Sequence, residues 1–268
     1  MGFEHILLVG CGNMAGAMLR GWIASGVDPE RFAVFAPAGP ALPAGVALLP
    51  ELPRECVFDA LLLGVKPQLL GNLVAQVEPL AGPDVTLLSL LAGVDLATLA
   101  DVLPRAAALV RVMPNLAVEI GKAPIALAGR GLDEGGRAAL VALMEPLGAP
   151  EWVDEEAFDL VTALAGSGPA FVYRFIDALA LAAAELGLPR EQADRLALAT
   201  VEGAAALAAA SPHPPGELAR RVASPGGMTQ EGLDVLDREG ALVGLLTETL
   251  RAAQDRGEQL AEQARTKG

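Results

Sequence analysis

Up to about residue 150, short and continuously apolar runs alternate with stretches of helical period. The runs are HILLVG (5–10), RFAVFA (31–36), VFDALLLGVKPQ (57–68), VTLLSLLAGV (85–94), AALVRVMPN (107–115) and APIALAG (123–129). Each is rich in Val, Leu, Ile or Phe without strict alternation, which predicts a strand buried on both faces. Helical patterns such as AMLRGWIASG (17–26) and GRAALVALMEPLG (136–148) lie between or after them, and EWVDE (151–155) predicts a last short strand. Strands alternating with helices at this spacing predict an α/β fold, a Rossmann-type doubly wound parallel sheet over residues 1–152. The proline-rich segment PAGPALPAGVALLPELPREC (37–56) shows no amphipathic helix, so the crossover after the second strand is expected to be shortened or to lack its helix.

From residue 153 the helical period takes over, which predicts an all-α domain over 153–268. AFDLVTALAGSGPAFVYRFIDALALAAAELGL (157–188) is apolar around much of its circumference, and EQADRLALATVEGAAALAAAS (191–211) is packed with Ala. A helix that is apolar all round needs cover on every side. One small helical domain supplies too little, so a second copy of the chain is the expected partner. Two glycine-rich breaks interrupt this half, Gly166-Ser167-Gly168-Pro169 and Ser224-Pro225-Gly226-Gly227. Proline and glycine each weaken a helix interior, so both breaks mark a turn, a restarted helix or a close approach to something outside the chain.

The formal charge of −14 speaks against nucleic acid as a partner, because affinity for phosphate backbones comes from Lys and Arg. Cys11 and Cys56 are the only cysteines, which implies no disulfide framework and a reducing compartment. The start MGFEHILLVG is too quickly interrupted for a secretion signal, and the apolar runs fall short of a membrane span. The expectation is a cytoplasmic protein without membrane or nucleic-acid partners. His5 and His213 are the only histidines, too few for a His-based metal site or catalytic triad, and no metal is expected.

The chemistry begins where the first strand ends. Gly10-Cys11-Gly12-Asn13-Met14-Ala15-Gly16 joins that strand to a helix. In such a turn Gly10 allows the sharp bend and Gly12 lets backbone approach a pyrophosphate. The small Ala15 and Gly16 permit close packing, and the helix N-terminus faces the anion. A carboxylate holding the ribose 2′-hydroxyl of NAD is expected at the end of the second strand; the chain instead reads Ala36-Pro37-Ala38-Gly39-Pro40. That favours NADPH, with NADH the second candidate, since no Arg stands there to clamp a 2′-phosphate. Lys66, Ala92-Gly93 and Pro114-Asn115 fall at further strand ends, where ligands of such sheets bind.

Taken in order, VGCGNMA (9–15), GVKPQ (64–68), SLLAGV (89–94), RVMPN (111–115), LAGSGPAF (164–171) and SPGGMT (224–229) resemble pyrroline-5-carboxylate reductase, which makes proline by reducing a cyclic imine with NAD(P)H. The resemblance implies a Rossmann domain followed by a helical domain for dimerisation and substrate binding, with assembly as a dimer or a pentamer of dimers. It places the cofactor against Val9, Gly10, Cys11, Gly12, Asn13, Met14, Ala36, Gly64, Val65, Lys66, Pro67, Leu90, Leu91 and Ala92. It assigns the substrate to Ser224, Gly226, Gly227, Met228 and Thr229, with the Thr229 hydroxyl as the catalytic group at the ring nitrogen. Three features depart from the family: LAVEIGK after RVMPN, the short 37–56 crossover, and Arg220-Arg221 before the SPGG turn. A β-hydroxyacid dehydrogenase would need a lysine in the second domain, and none stands between Lys122 and Lys267. The remaining alternative is a dinucleotide-binding sensor or scaffold without catalysis.

Overall fold

The computed structural model describes residues 2–55 and 57–267, so Cys56 lies outside the described residues. Two compact units emerge, Met1–Ser167 together with Ala252–Gly268, and Gly168–Arg251. The first contains strands β1 (Ile6–Val9), β2 (Phe32–Phe35), β3 (Ala47–Leu49), β4 (Ala60–Leu63), β5 (Thr86–Ser89), β6 (Ala108–Met113), β7 (Ala123–Arg130) and β8 (Gly148–Trp152). Helices α1 (Asn13–Ala24), α2 (Leu70–Val77), α3 (Leu96–Val102), α4 (Glu134–Met144) and α5 (Phe158–Val161) accompany them. Among the described residues these strands form one sheet in the order β3-β2-β1-β4-β5-β6-β7-β8.

Alternate residues of the central strands feed two separate cores. Ile6 and Leu8 pack with Met18, Trp22 and Leu140 on the side of α1 and α4. Leu7 and Val9 pack with Leu61, Leu63, Val77 and Leu99 on the side of α2 and α3. Both faces are therefore covered, and this explains the continuously apolar strands: a polar residue on either face would be buried without water. Burying a side chain of this size stabilises by roughly 1.5–3 kcal/mol. Trp22 fixes α1 to the sheet by stacking on Phe32 at 5.1 Å between ring centroids and donating from Nε1 to the Leu143 carbonyl at 2.7 Å.

The sheet is parallel from β3 across to β6, after which β7 pairs antiparallel with β6 and β8 runs parallel to β7. Only residues 114–122 join β6 to β7, and a parallel return needs a dozen residues or more. Among its described residues the segment after β2 contains no α-helix before β4, as its proline-rich sequence predicts, and the three-residue strand β3 extends the sheet edge instead. The final strand begins at Gly148, ahead of the predicted EWVDE stretch, and β-structure ends at Trp152.

Helical structure continues from α5 through a π-helical turn over Thr162–Gly166 that ends beside Ser167. In the second unit, α6 (Gly168–Glu185), α7 (Arg190–Ala210), α8 (Pro215–Val222) and α9 (Met228–Asp237) precede α10 (Ala241–Lys267), whose C-terminal part groups with the first unit. Pro169 sits in the first turn of α6, where its missing N–H leaves no intrahelical bond unmade. The hairpin of α6 and α7 closes on small residues, Ala180, Ala193 and Ala197. Most of its larger apolar side chains stay outward: Val172, Tyr173, Phe175, Leu196, Leu198 and Leu207 are 46–73% exposed within one chain. The fully covered helices expected from the sequence are thus not covered by their own chain. No helix among the described residues is long and apolar enough to cross a membrane.

Candidate active site

Register aligns the carboxyl ends of four neighbouring strands, β2, β1, β4 and β5, beside Arg111 of the longer β6. Val9 pairs with both Phe35 and Leu63, Leu63 with Ser89, and Ser89 with Arg111. Gly10, Ala36, Gly64 and Leu90 are the residues immediately beyond this row. Between β1 and β4 the strand order reverses direction, and such a switch point opens a crevice for ligand.

Gly10 carries φ +91°, a left-handed conformation that side chains disfavour, and its N–H donates to the Phe35 carbonyl at 2.8 Å. A β-carbon here would sit 2.5 Å from Cγ1 of Val65. One on Gly64 would sit 2.6 Å from Cβ of Ala15 and 2.7 Å from the Gly10 carbonyl oxygen. The two turns are thus pressed together with no space for a side chain. Gly12 differs: its nearest protein atom would be the Gly64 oxygen at 3.8 Å, so the protein's own packing does not demand glycine there. The absent side chain leaves main-chain N–H groups open to solvent instead.

Those N–H groups begin α1, whose N-cap Gly12 supplies no side-chain hydrogen bond and whose first turn holds no acid. The helix thus presents uncapped donors and the positive end of its dipole, which suits a pyrophosphate. Gly12 and Asn13 are exposed and Met14 is half-buried. Cys11, also half-buried and a free thiol, has its pKa pushed up by burial, with Arg20 pulling the other way, so it is a packing residue rather than a ready nucleophile.

The other residues expected around the cofactor gather along the same edge. Ala36 opens a turn in which Gly39 N–H donates to the Ala36 carbonyl, without a carboxylate in residues 36–40. Val65 and Pro67 are half-buried, while Lys66 is exposed at the mouth of the β4 turn. Beyond β5, Leu90 packs against the α1 side, Ala92 is exposed, and Leu91 is buried in the opposite core. Val9 is likewise fully buried. Leu91 and Val9 therefore have only main-chain atoms to offer at the cleft.

The second unit holds the 224–229 residues. Ser224-Pro225-Gly226-Gly227 forms a turn closed by Gly227 N–H donating to the Ser224 carbonyl at 2.9 Å. Pro225 in the second place and Gly226 at φ +69° in the third give the residue choice of a type II turn. A β-carbon on Gly227 would strike Ser224 Oγ at 2.5 Å, so glycine there makes room for the serine hydroxyl. Gly227 caps α9 without a side-chain hydrogen bond. Met228 and Thr229 occupy the first turn of α9, both exposed. This second helix start without a side-chain cap, next to two hydroxyl residues, offers main-chain N–H donors to an anion, although unlike α1 it carries an acid, Glu231, in its first turn.

One buried polar cluster escapes the sequence reading. Arg111 points from β6 into a site formed by Glu155, Phe158 and Asp159, with its side chain 5% exposed. Its Nη1 lies 3.0 Å from Glu155 Oε1 and its Nη2 3.5 Å from Asp159 Oδ1, and the guanidinium stacks 3.9 Å from the Phe158 ring centroid. Two places along β6's end, Asn115 donates to the Ala165 carbonyl at 2.8 Å and accepts from Ala117 N–H at 2.9 Å. The available signal was an arginine inside an otherwise apolar strand. Among the described residues no cluster of His, Cys, Asp and Glu could hold a metal.

Comparison with known proteins agrees with both halves. Residues 155–260 match the model of the pyrroline-5-carboxylate reductase dimerisation domain, which accounts for the uncovered apolar faces of α6 and α7 as a surface for self-association. The pyrroline-5-carboxylate reductase of Pseudomonas aeruginosa is 34% identical, over 98% of this chain and 99% of its own. That of Methanosarcina acetivorans is 32% identical, over 94% and 96%. The solved pyrroline-5-carboxylate reductase of Coxiella burnetii superposes with a TM-score of 0.87 at 29% identity, over 97% of this chain and 99% of the other. With a matching fold, a matching dimerisation region and relatives 32–34% identical over nearly its whole length, this chain belongs to the pyrroline-5-carboxylate reductase family.

Proposed function

We propose that the protein catalyses the NAD(P)H-dependent reduction of 1-pyrroline-5-carboxylate to L-proline, the last step of proline formation. The observation that carries this reading is the 224–229 turn: uncapped main-chain donors of α9 stand beside Ser224 and Thr229 hydroxyls, a pattern matched to a substrate with a carboxylate next to a ring nitrogen.

When bound, the reduced dinucleotide supplies the hydride that reduces the imine carbon. Its pyrophosphate would be held by main-chain N–H groups from Gly12 to Met14, whose fit rests on the open space at Gly12 and the acid-free start of α1. Val9 to Cys11, Ala36, Gly64 to Pro67 and Leu90 to Ala92 would complete the cleft. The absence of a carboxylate in residues 36–40 supports NADPH as the preferred form, with NADH second, because an acid there would repel the 2′-phosphate.

Ser224 Oγ and the N–H groups around Gly226, Gly227 and Met228 bind the substrate carboxylate in this reading. Thr229 is hydrogen-bonded to the ring nitrogen and orients it; a threonine hydroxyl is a weak acid, so passing a proton is its lesser role. The working assembly is a homodimer or a pentamer of dimers, and its place is the cytoplasm, a reading that a free Cys11 supports. A net charge of −14 supports a protein without nucleic-acid partners.

The test is oxidation of NADPH, and separately NADH, by purified protein with pyrroline-5-carboxylate, followed by the absorbance of the reduced nicotinamide. Imine-dependent oxidation is expected, faster with NADPH. Cofactor binding with no oxidation of either form would overturn the reading.

A further inference from the structure

We infer that Arg111 is a positioning residue for the dinucleotide cleft, acting through Glu155 on the loop between β5 and α3. The inference deepens the proposed function and rests on it for the identity of the cofactor.

Glu155 Oε1 accepts two hydrogen bonds, from Arg111 Nη1 at 3.0 Å and from Leu96 N–H at 3.0 Å. Leu96 opens α3, so its N–H has no partner within the helix and must find one elsewhere. The residues before it, Leu90 to Asp95, run from the carboxyl end of β5 and include Leu90–Ala92 of the cofactor cleft. The loop is held at its start by β5, where Leu90 N–H donates to the Leu63 carbonyl at 3.1 Å, and at its far end by Glu155. Arg111 is in register with Ser89, the last residue of β5, so the guanidinium fixes that carboxylate against the strand next to the loop.

The pairing is not the one that would maximise attraction between Arg111 and Glu155. A guanidinium and a carboxylate bond best through two parallel contacts. Here Arg111 Nε and Glu155 Oε2 are buried with no hydrogen-bond partner among the described residues, while Oε1 is shared with the loop. A buried ion pair contributes little stability over a well-packed apolar substitute. What this geometry supplies is the placement of a main-chain N–H, and through it of a cleft wall.

The test compares full-length wild type with Arg111→Met, Arg111→Lys and Glu155→Ala. NADPH dissociation constants are read by cofactor fluorescence without substrate, beside thermal midpoints and steady-state kinetics. Arg111→Met and Glu155→Ala are expected to weaken NADPH about tenfold, the scale at which residues outside a site modulate binding, with the imine KM at saturating cofactor unchanged. Arg111→Lys is expected to recover most of that loss. A purely structural role would lower the thermal midpoint and leave the dissociation constant within about twofold of wild type, and that result overturns the inference. If Arg111→Met does not fold, Glu155→Ala decides alone, because it leaves Arg111 its contact with Asp159. A wild type that binds NADPH without reducing the imine would sink the proposed function while the dissociation constants still judge Arg111. One that binds neither NADPH nor NADH would overturn both.

Discussion

Gly10 and Gly64 meet main chain to main chain at the switch point of the sheet: a β-carbon on Gly64 would lie 2.7 Å from the Gly10 carbonyl oxygen, and one on Gly10 would lie 3.0 Å from the Gly64 carbonyl carbon. The contact closes the floor of the cleft between β1 and β4, since Gly64 N–H donates to the Val9 carbonyl at 2.9 Å. Gly64→Ala must push apart two turns packed main chain to main chain and is expected to destabilise the protein by roughly 1–3 kcal/mol, as overpacking does. Denaturant unfolding measures it, and an unchanged midpoint would contradict the close contact.

Gly12→Ala separates packing from binding. The nearest protein atom to its β-carbon would be 3.8 Å away, so stability should fall only by the roughly 0.5–1.5 kcal/mol that Ala costs at an N-cap relative to Gly, a small drop in thermal midpoint. The added methyl stands where a pyrophosphate would approach, and NADPH affinity should fall about tenfold or more. Calorimetric titration of folded variant with NADPH checks this, and wild-type affinity would remove Gly12 from the cofactor site.

Thr229→Ala leaves the α9 backbone free to bind the substrate carboxylate and removes only the hydroxyl. Turnover is expected to drop by about 10²-fold, the lower range for a positioned hydrogen-bonding or proton-transfer group, with cofactor affinity unchanged. Thr229→Ser should restore most of it. Wild-type turnover in the alanine variant would take the catalytic role from this residue.

Val172, Phe175 and Leu179 form one outward stripe of α6, exposed by 46%, 50% and 39%. Replacing Phe175 and Leu179 with Asp would bury two charges in any interface built on that stripe, at several kcal/mol each. Sedimentation velocity should show a homo-oligomer for wild type and smaller species for the double variant. Identical sedimentation would place the association surface elsewhere.

Much of the first unit was legible because its signals are local. A strand covered on both faces must be continuously apolar, and a turn with φ +91° at Gly10 calls for glycine whatever lies around it. The missing helix after β2 was readable from prolines. Strand β3 was not, since three residues without strong β preference carry no pattern. The reversal at β7 follows from loop length together with which edge of the sheet was free. Arg111 shows a further limit: an arginine in an apolar strand announces a partner, yet nothing in the spacing says that Glu155 and Asp159, 44 and 48 residues later, supply it.

The sequence by itself determined the alternation of strands and helices apart from β3, the glycine turns, the anion-ready helix starts and the family, because backbone conformation and burial period are written residue by residue. Only the tertiary structure decided which glycines are required by the protein and which are left open for a ligand. It also decided that Leu91 and Val9 turn their side chains into the core, and that one glutamate oxygen joins β6 to the cleft loop. Those facts depend on distances between segments far apart in the chain, and such distances exist only once the sheet has brought its strand ends into register.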